Sequence, residues 1–206
     1  MSIKHVSGSG LYTGAKGVKL WDQTTVQNDF QSIATVVVPS GYNSNVITIS
    51  NIPQNFTHLQ LRLIGQTNRA TYGLDDVYFR YNGDTGNNYT NHGFYGDGGS
   101  ATAFAPYGTT TGPYLGGALG TTTGNNFGAV ILDILDYTNY SKNRTIRAFG
   151  GQDTNGTISG YGGRIHLSSG LWMNTTNSIN SITIVSVAGN FTQYTQASLY
   201  GIKAAS

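Results

Sequence analysis

His58-Leu-Gln-Leu-Arg-Leu63 is the stretch that decides the fold of this 206-residue chain. Leu59, Leu61 and Leu63 alternate with Gln60 and Arg62. Successive side chains of a strand point to opposite faces, so a period of two sends the leucines into a core and the polar groups to water. Working outward, the same signature recurs between turn signals. On the N-terminal side, Ile33-Ala-Thr-Val-Val-Val38 is β-branched and stops at Pro39-Ser-Gly, and Val46-Ile-Thr-Ile49 ends at the Asn51-Ile-Pro53 turn. On the C-terminal side, Val77-Tyr-Phe-Arg-Tyr81 runs into Asn82-Gly-Asp-Thr-Gly-Asn87, a strong turn signal that makes Tyr89 to Tyr95 the expected hairpin partner.

Residues 96 to 126 break the pattern. They are rich in Gly and Thr, with Phe104, Tyr107, Tyr114 and Leu115 spaced along them, and read as a long loop with a contact role. Order returns at Phe127-Gly-Ala-Val-Ile-Leu-Asp-Ile-Leu135, the most apolar segment and the expected central strand. Arg144-Thr-Ile-Arg-Ala-Phe149 pairs back on it, Arg164-Ile-His-Leu167 continues the sheet, Ser178 to Val187 is a long strand, and Ala197 to Ile202 closes the chain. Eight to ten short strands without a helix predict an all-β, antiparallel β-sandwich, jelly-roll-like, with long Gly/Thr/Asn-rich loops. The expected division is an extended N-terminal arm over residues 1–30 and a β-sandwich domain over residues 31–206. In the arm, Gly8, Gly10, Gly14 and Gly17 punctuate the chain, and Leu11, Tyr12, Leu20 and Trp21 are its bulky apolar groups and candidate interface anchors.

Composition narrows the function. Charged residues make up 10% of the chain, the formal net charge is +2, and all nine acidic residues are aspartate. Lysine and arginine are scattered singly, so no basic stripe exists to neutralise consecutive phosphates and nucleic-acid binding is not expected. A partner would be held by shape, apolar contact and neutral hydrogen bonds, with little dependence on salt. Cysteine is absent, which removes disulfides, zinc-thiolate sites and cysteine nucleophiles and fits assembly in a reducing cytoplasm. The first residues carry no apolar signal-peptide core and no apolar run spans a membrane, so neither secretion by that route nor membrane insertion is expected.

Chemistry finds little to work with. A glycosidase needs two carboxyl groups converging on one bond. Asp75-Asp76 reads as turn placement before a strand, and Asp133 and Asp136 differ by an odd number, so neither pair converges. His58 and His166 fall within strands and read as surface or interface residues; His5 lies in the arm and His92 in a hairpin, without metal-ligand spacing. No serine sits in a nucleophile-elbow sequence. Asn82-Gly-Asp84 and Gly96-Asp97-Gly98 offer oxygen ligands for calcium, but too few carboxylates, and turn chemistry accounts for them. No cofactor, metal or catalytic residue is assigned.

Five phrases then bear on family. Ile52-Pro-Gln-Asn-Phe-Thr-His-Leu-Gln-Leu-Arg62, Arg80-Tyr-Asn-Gly-Asp-Thr-Gly-Asn-Asn-Tyr89, Ile134-Leu-Asp-Tyr137, Ser169-Gly-Leu-Trp172 and Ser198-Leu-Tyr-Gly-Ile-Lys203 occur in this order. In these phrases the chain resembles the small virion structural, capsid decoration-like proteins of tailed phages, especially cyanophages and other marine phages. The resemblance covers about residues 31 to 206. It implies a particle component on the outer surface of the virion, without known catalysis, and hands over no site residues. The expected function is therefore capsid decoration (cement): a homotrimer on the shell exterior whose arm reaches the major capsid protein, another virion protein or a sister subunit. The alternative is a tail-fibre or appendage subunit that binds host surface glycans through residues 96–126. A depolymerase using Asp133 or Asp136 is the third.

Overall fold

The structure, a computed structural model, describes residues 30–105, 112, 114–154 and 162–203, with the backbone alone for 114–118. Twelve strands form it: β1 (Phe30–Val37), β2 (Val46–Ile49), β3 (His58–Thr67), β4 (Leu74–Tyr81), β5 (Tyr89–Gly96), β6 (Ala101–Phe104), β7 (Tyr114–Thr121), β8 (Gly128–Ile134), β9 (Arg144–Asp153), β10 (Gly163–Trp172), β11 (Ile182–Ser186) and β12 (Gln196–Ile202). No helix occurs among the described residues, hence none long and apolar enough to cross a membrane.

The strands join in one mostly antiparallel sheet that folds into two leaves. The larger leaf runs β1-β12-β3-β8-β9-β10-β5-β6, and the smaller runs β2-β11-β4-β7. The end of β3 joins them, where Gln66 and Thr67 pair in parallel with Gly120 and Thr121 of β7. The leaves face each other as a sandwich. Leu59, Leu61 and Leu63 of β3, all but inaccessible, meet Val77, Phe79, Ile182 and Ile184 of the smaller leaf in one core. Each such burial contributes on the order of 1.5–3 kcal/mol. The alternation in His58 to Leu63 thus reads correctly, as does the hairpin from β8 to β9.

Four expectations change. Residues 96–126 are not one loop: they contain β6, which pairs with β5, and β7, which pairs with β4. The Asn82 turn does form, with Asn82 at φ 54°, Gly83 at φ 68° and the Asp84 amide donating to the Tyr81 carbonyl at 2.9 Å. Yet β4 and β5 do not pair; β4 lies between β11 and β7, and β5 between β10 and β6. The physical reason is a knot of hydrogen bonds at Asp84. Its carboxylate accepts from the Trp172 indole at 2.7 Å, the Asn88 amide at 2.9 Å and the Gly86 amide at 2.8 Å. The Tyr89 hydroxyl accepts from the Tyr81 amide at 3.1 Å and donates to the Asp84 carbonyl at 2.9 Å. These bonds turn the chain from one leaf to the other.

The strand expected over Ser178 to Val187 is shorter, because Asn82 binds its first half: the Asn82 carboxamide donates to Ser178 O at 2.7 Å and accepts from the Asn180 amide at 2.9 Å. Finally, Asp75 does not precede a strand but lies inside β4, fully buried. It accepts from the Thr67 hydroxyl at 2.8 Å and the Gly189 amide at 2.9 Å, and Arg69 lies 3.7 Å away. Burial raises its pKa, and these donors and Arg69 oppose the rise.

A candidate contact surface

The outer face of the larger leaf is where this protein departs from an ordinary sandwich. Outward positions of an antiparallel sheet with one face in water are normally polar. Here one cross-strand row reads Arg62, Ile131, Phe149, Leu167, Phe94 and Ala103 over six adjacent strands. Its four large apolar members are 41%, 50%, 38% and 53% exposed in that order. The next row reads Ile64, Ala129, Gly151, Ile165, Gly96 and Ala101, with Ile64 and Ile165 also more than half exposed. Because the strands are in register, these side chains form one patch rather than scattered exceptions. Singly exposed apolar residues are normal, but a contiguous band rimmed by polar groups marks a contact surface.

The rim is polar on two sides. Beyond Ile131 and Phe149, Gln60 donates to Asp133 at 2.9 Å and Arg147 pairs with it at 3.0 Å. Toward the β1 edge, the Phe30 and Tyr200 rings stack at 4.8 Å with the Arg62 guanidinium over both.

Small residues cut a groove into the second row. Ala129, Gly151 and Gly96 leave an open trough of about 770 Å³ bounded by Ile131, Phe149 and Ile165. Asp97, on the β5–β6 turn, and Asp153, the last residue of β9, lie on its rim. Bonds from the Ser100 and Gly99 amides hold the exposed Asp97 carboxyl below its ordinary range, so it is anionic near neutrality. The Arg164 guanidinium lies 4.1 Å over the Tyr95 ring.

The residues singled out in the sequence are placed differently. Leu11, Tyr12, Leu20, Trp21 and Tyr107 lie outside the described residues. Tyr114 and Leu115 open β7, where their backbone pairs with Tyr78 and Val77. Phe104 ends β6, and its ring stacks on His166 at 5.0 Å and 9°. His166 is therefore no surface residue: it is 1% exposed, on the inward side of β10. Burial, with help from Arg164, pushes its pKa down from 6.5 to about 4. His58 stays half-exposed, accepting from the Asp136 amide at 3.0 Å.

Three of the described carboxylates have structural partners. Asp133 pairs with Arg147, Asp136 with Lys142, and Asp84 is taken up at the leaf crossing. Among the described residues no three His or Asp side chains gather where a cation would sit.

The sequence reading missed Ile131, Phe149, Leu167, Phe94 and Ile165. A signal existed in Ala129-Val-Ile-Leu132, which is apolar on both parities, but a strand buried on both faces gives the same signal.

Fold and surface together define an all-β sandwich with one apolar, solvent-facing leaf. No protein-family model and no curated protein matches this chain.

Proposed function

We propose that this chain is a structural component of a tailed-phage particle, a decoration protein that binds the shell exterior and stabilises it. The observation that carries the reading is the row Ile131, Phe149, Leu167 and Phe94, aligned over four neighbouring strands and open to solvent. The resemblance of the five sequence phrases to phage virion proteins supplies the setting. The mechanism is mass burial. Covering each half-exposed side chain of the row removes apolar area at roughly 25 cal/mol per Å². A shell repeats that gain in every capsomer, which raises the work needed to separate subunits against internal pressure. No chemical step is involved, and the partner is a protein surface.

The test is stoichiometry and add-back. Particles that carry the protein are purified and its copy number is measured against the major shell subunit. Stripped shells are then re-bound with purified chain and heated. A copy number that tracks capsomers, with a higher disruption temperature after add-back, supports decoration. A handful of copies at the tail overturns it in favour of an appendage subunit. Absence from particles removes the virion reading altogether.

A further inference from the structure

The groove over β8, β9 and β10 sits at one end of the outer face, and the described chain begins at the other. Phe30 enters β1 on the edge of that same face, stacked on Tyr200 and covered by Arg62. Twenty-nine residues precede it. The bulky apolar groups nearest to Phe30 in that stretch are Leu20 and Trp21, with Lys16 and Lys19 just before them. From Met1 to Trp21 there are three lysines and no carboxylate, and Asp22 follows directly. The groove has the opposite character: an apolar trough with Asp97 and Asp153 on its rim. Its 770 Å³ falls in the range of roughly 300–1,000 Å³ typical of built binding clefts. A tryptophan buries about 150–250 Å² and is a common anchor for such a cleft.

Reach decides whose segment fits. Phe30 pairs at the level of Ile202 and His58, whereas the groove lies at the level of Ile64. Those six residues along β3 span about 20 Å, and the four strand steps from β1 to β9 about 19 Å. The diagonal is therefore about 28 Å. The nine residues from Trp21 to Phe30 reach about 30 Å only when fully extended. Within one chain, Trp21 would arrive on a nearly extended tether with most of its conformational freedom removed. The segment of an adjacent copy carries no such restriction.

We propose that the groove receives the Lys19-Leu20-Trp21 segment of a second copy of this chain, Trp21 against Phe149 and Ile165 and Lys19 toward the carboxylates of the rim. Neighbouring copies are then laced together, each giving a segment and accepting one. Such an exchange closes a two-fold pair when reciprocal and extends around a ring or along a lattice when head-to-tail. The inference rests on reading the outer face as a contact surface, and it names the occupant of its groove.

The absence of cysteine makes disulfide trapping clean. One full-length chain carries Asp22→Cys, beside Trp21, and another carries Ala129→Cys, on the groove floor. A control chain carries Val187→Cys, an exposed position after β11 on the other leaf. The two chains are mixed and oxidised. The expected result is a covalent heterodimer that forms about tenfold faster with Ala129→Cys than with Val187→Cys, and that slows by a similar factor when Trp21→Ala is added. Gly96→Val is a second blocking variant. A Cβ at Gly96 meets Ile165 Cγ2 at an ordinary 3.5 Å, so the fold accepts it while the trough fills.

Equal rates with Ala129→Cys and Val187→Cys overturn the proposal. So does a double-cysteine chain that closes only on itself as a monomer, which would assign the groove to the chain's own segment. The trapping uses isolated protein and the copy number uses particles. A negative trap with a capsomer-matched copy number therefore removes the lacing and leaves decoration standing, and the reverse result separates them the other way.

Discussion

At the scale of single residues, His166 couples the stability of the fold to pH. Its ring is sealed beneath Phe104, and Nε2 has no hydrogen-bond partner in the interior. Burial, then Arg164, lowers its pKa from 6.5 to about 4. The folded chain thus takes up the proton later than the unfolded one. The stability this preserves is complete above pH 6.5 and is lost as pH falls from 6.5 to about 4. At 1.36 kcal/mol per unit the loss approaches about 3 kcal/mol. Urea unfolding at pH 7 and pH 4.5 should show it, and His166→Gln should flatten the difference. An unchanged slope in that variant would place the acid sensitivity elsewhere. The next source is Asp84. Burial alone would raise its pKa, but the bonds from Trp172, Asn88 and Gly86 outweigh burial and hold it below 3.8. A depressed carboxyl stabilises above its ordinary pKa and stops doing so as pH falls through the folded one. Asp84→Asn should therefore leave a chain weakened at pH 7, by about 1–3 kcal/mol, and less sensitive to pH below 3.8. Thermal melts of both proteins at pH 7 and pH 3 separate the two effects.

At the scale of elements, close packing makes β12 intolerant of even one methyl group. A Cβ on Gly201 would fall 2.3–2.5 Å from three atoms of the Phe56 ring, itself largely buried. Gly201→Ala should cost about 1–3 kcal/mol, read as a lower midpoint in denaturant, and Phe56→Leu in the same chain should recover part of it. Independent, additive losses would show that the ring and the glycine do not press on each other. The sequence was readable wherever large apolar side chains alternate, as in Leu59, Leu61 and Leu63, or crowd together, as in Val130 to Leu132. It was not readable in β7. Tyr114-Leu-Gly-Gly-Ala-Leu-Gly-Thr121 carries no alternation of large apolar and polar residues, although its backbone pairs with β4 and lies close to β9 and β10. Nor was the passage from β4 to β5 legible. Asn82-Gly83 makes the turn a hairpin needs, and only the side chain of Asp84, gripping Trp172 far along the chain, with the Tyr89 hydroxyl tied back to Tyr81 and Asp84, sends the next strand to the other leaf.

At the scale of the molecule, the outer face shows why the candidate site was only half legible. Each strand that contributes to it looks ordinary alone; the patch exists because Ile131, Phe149, Leu167 and Phe94 fall into register. Register is a property of pairing across many residues, so no single window of sequence contains it. These side chains stand half in water and touch little of the core, so their removal should leave the sandwich intact. Phe149→Asp combined with Leu167→Ser should shift stability by no more than about 1 kcal/mol and raise solubility. The same double variant should lose most of its binding to stripped shells. Wild-type binding, held by an apolar row with charges only at its rim, should change little as salt is raised past the point where exposed ion pairs are screened. Sedimentation of the chain with shells at low and high salt checks both claims. Retained binding by the variant would move the contact off this face. Binding by the wild type that collapses with salt would make Arg62 and Arg147, rather than the apolar row, the groups that hold the partner.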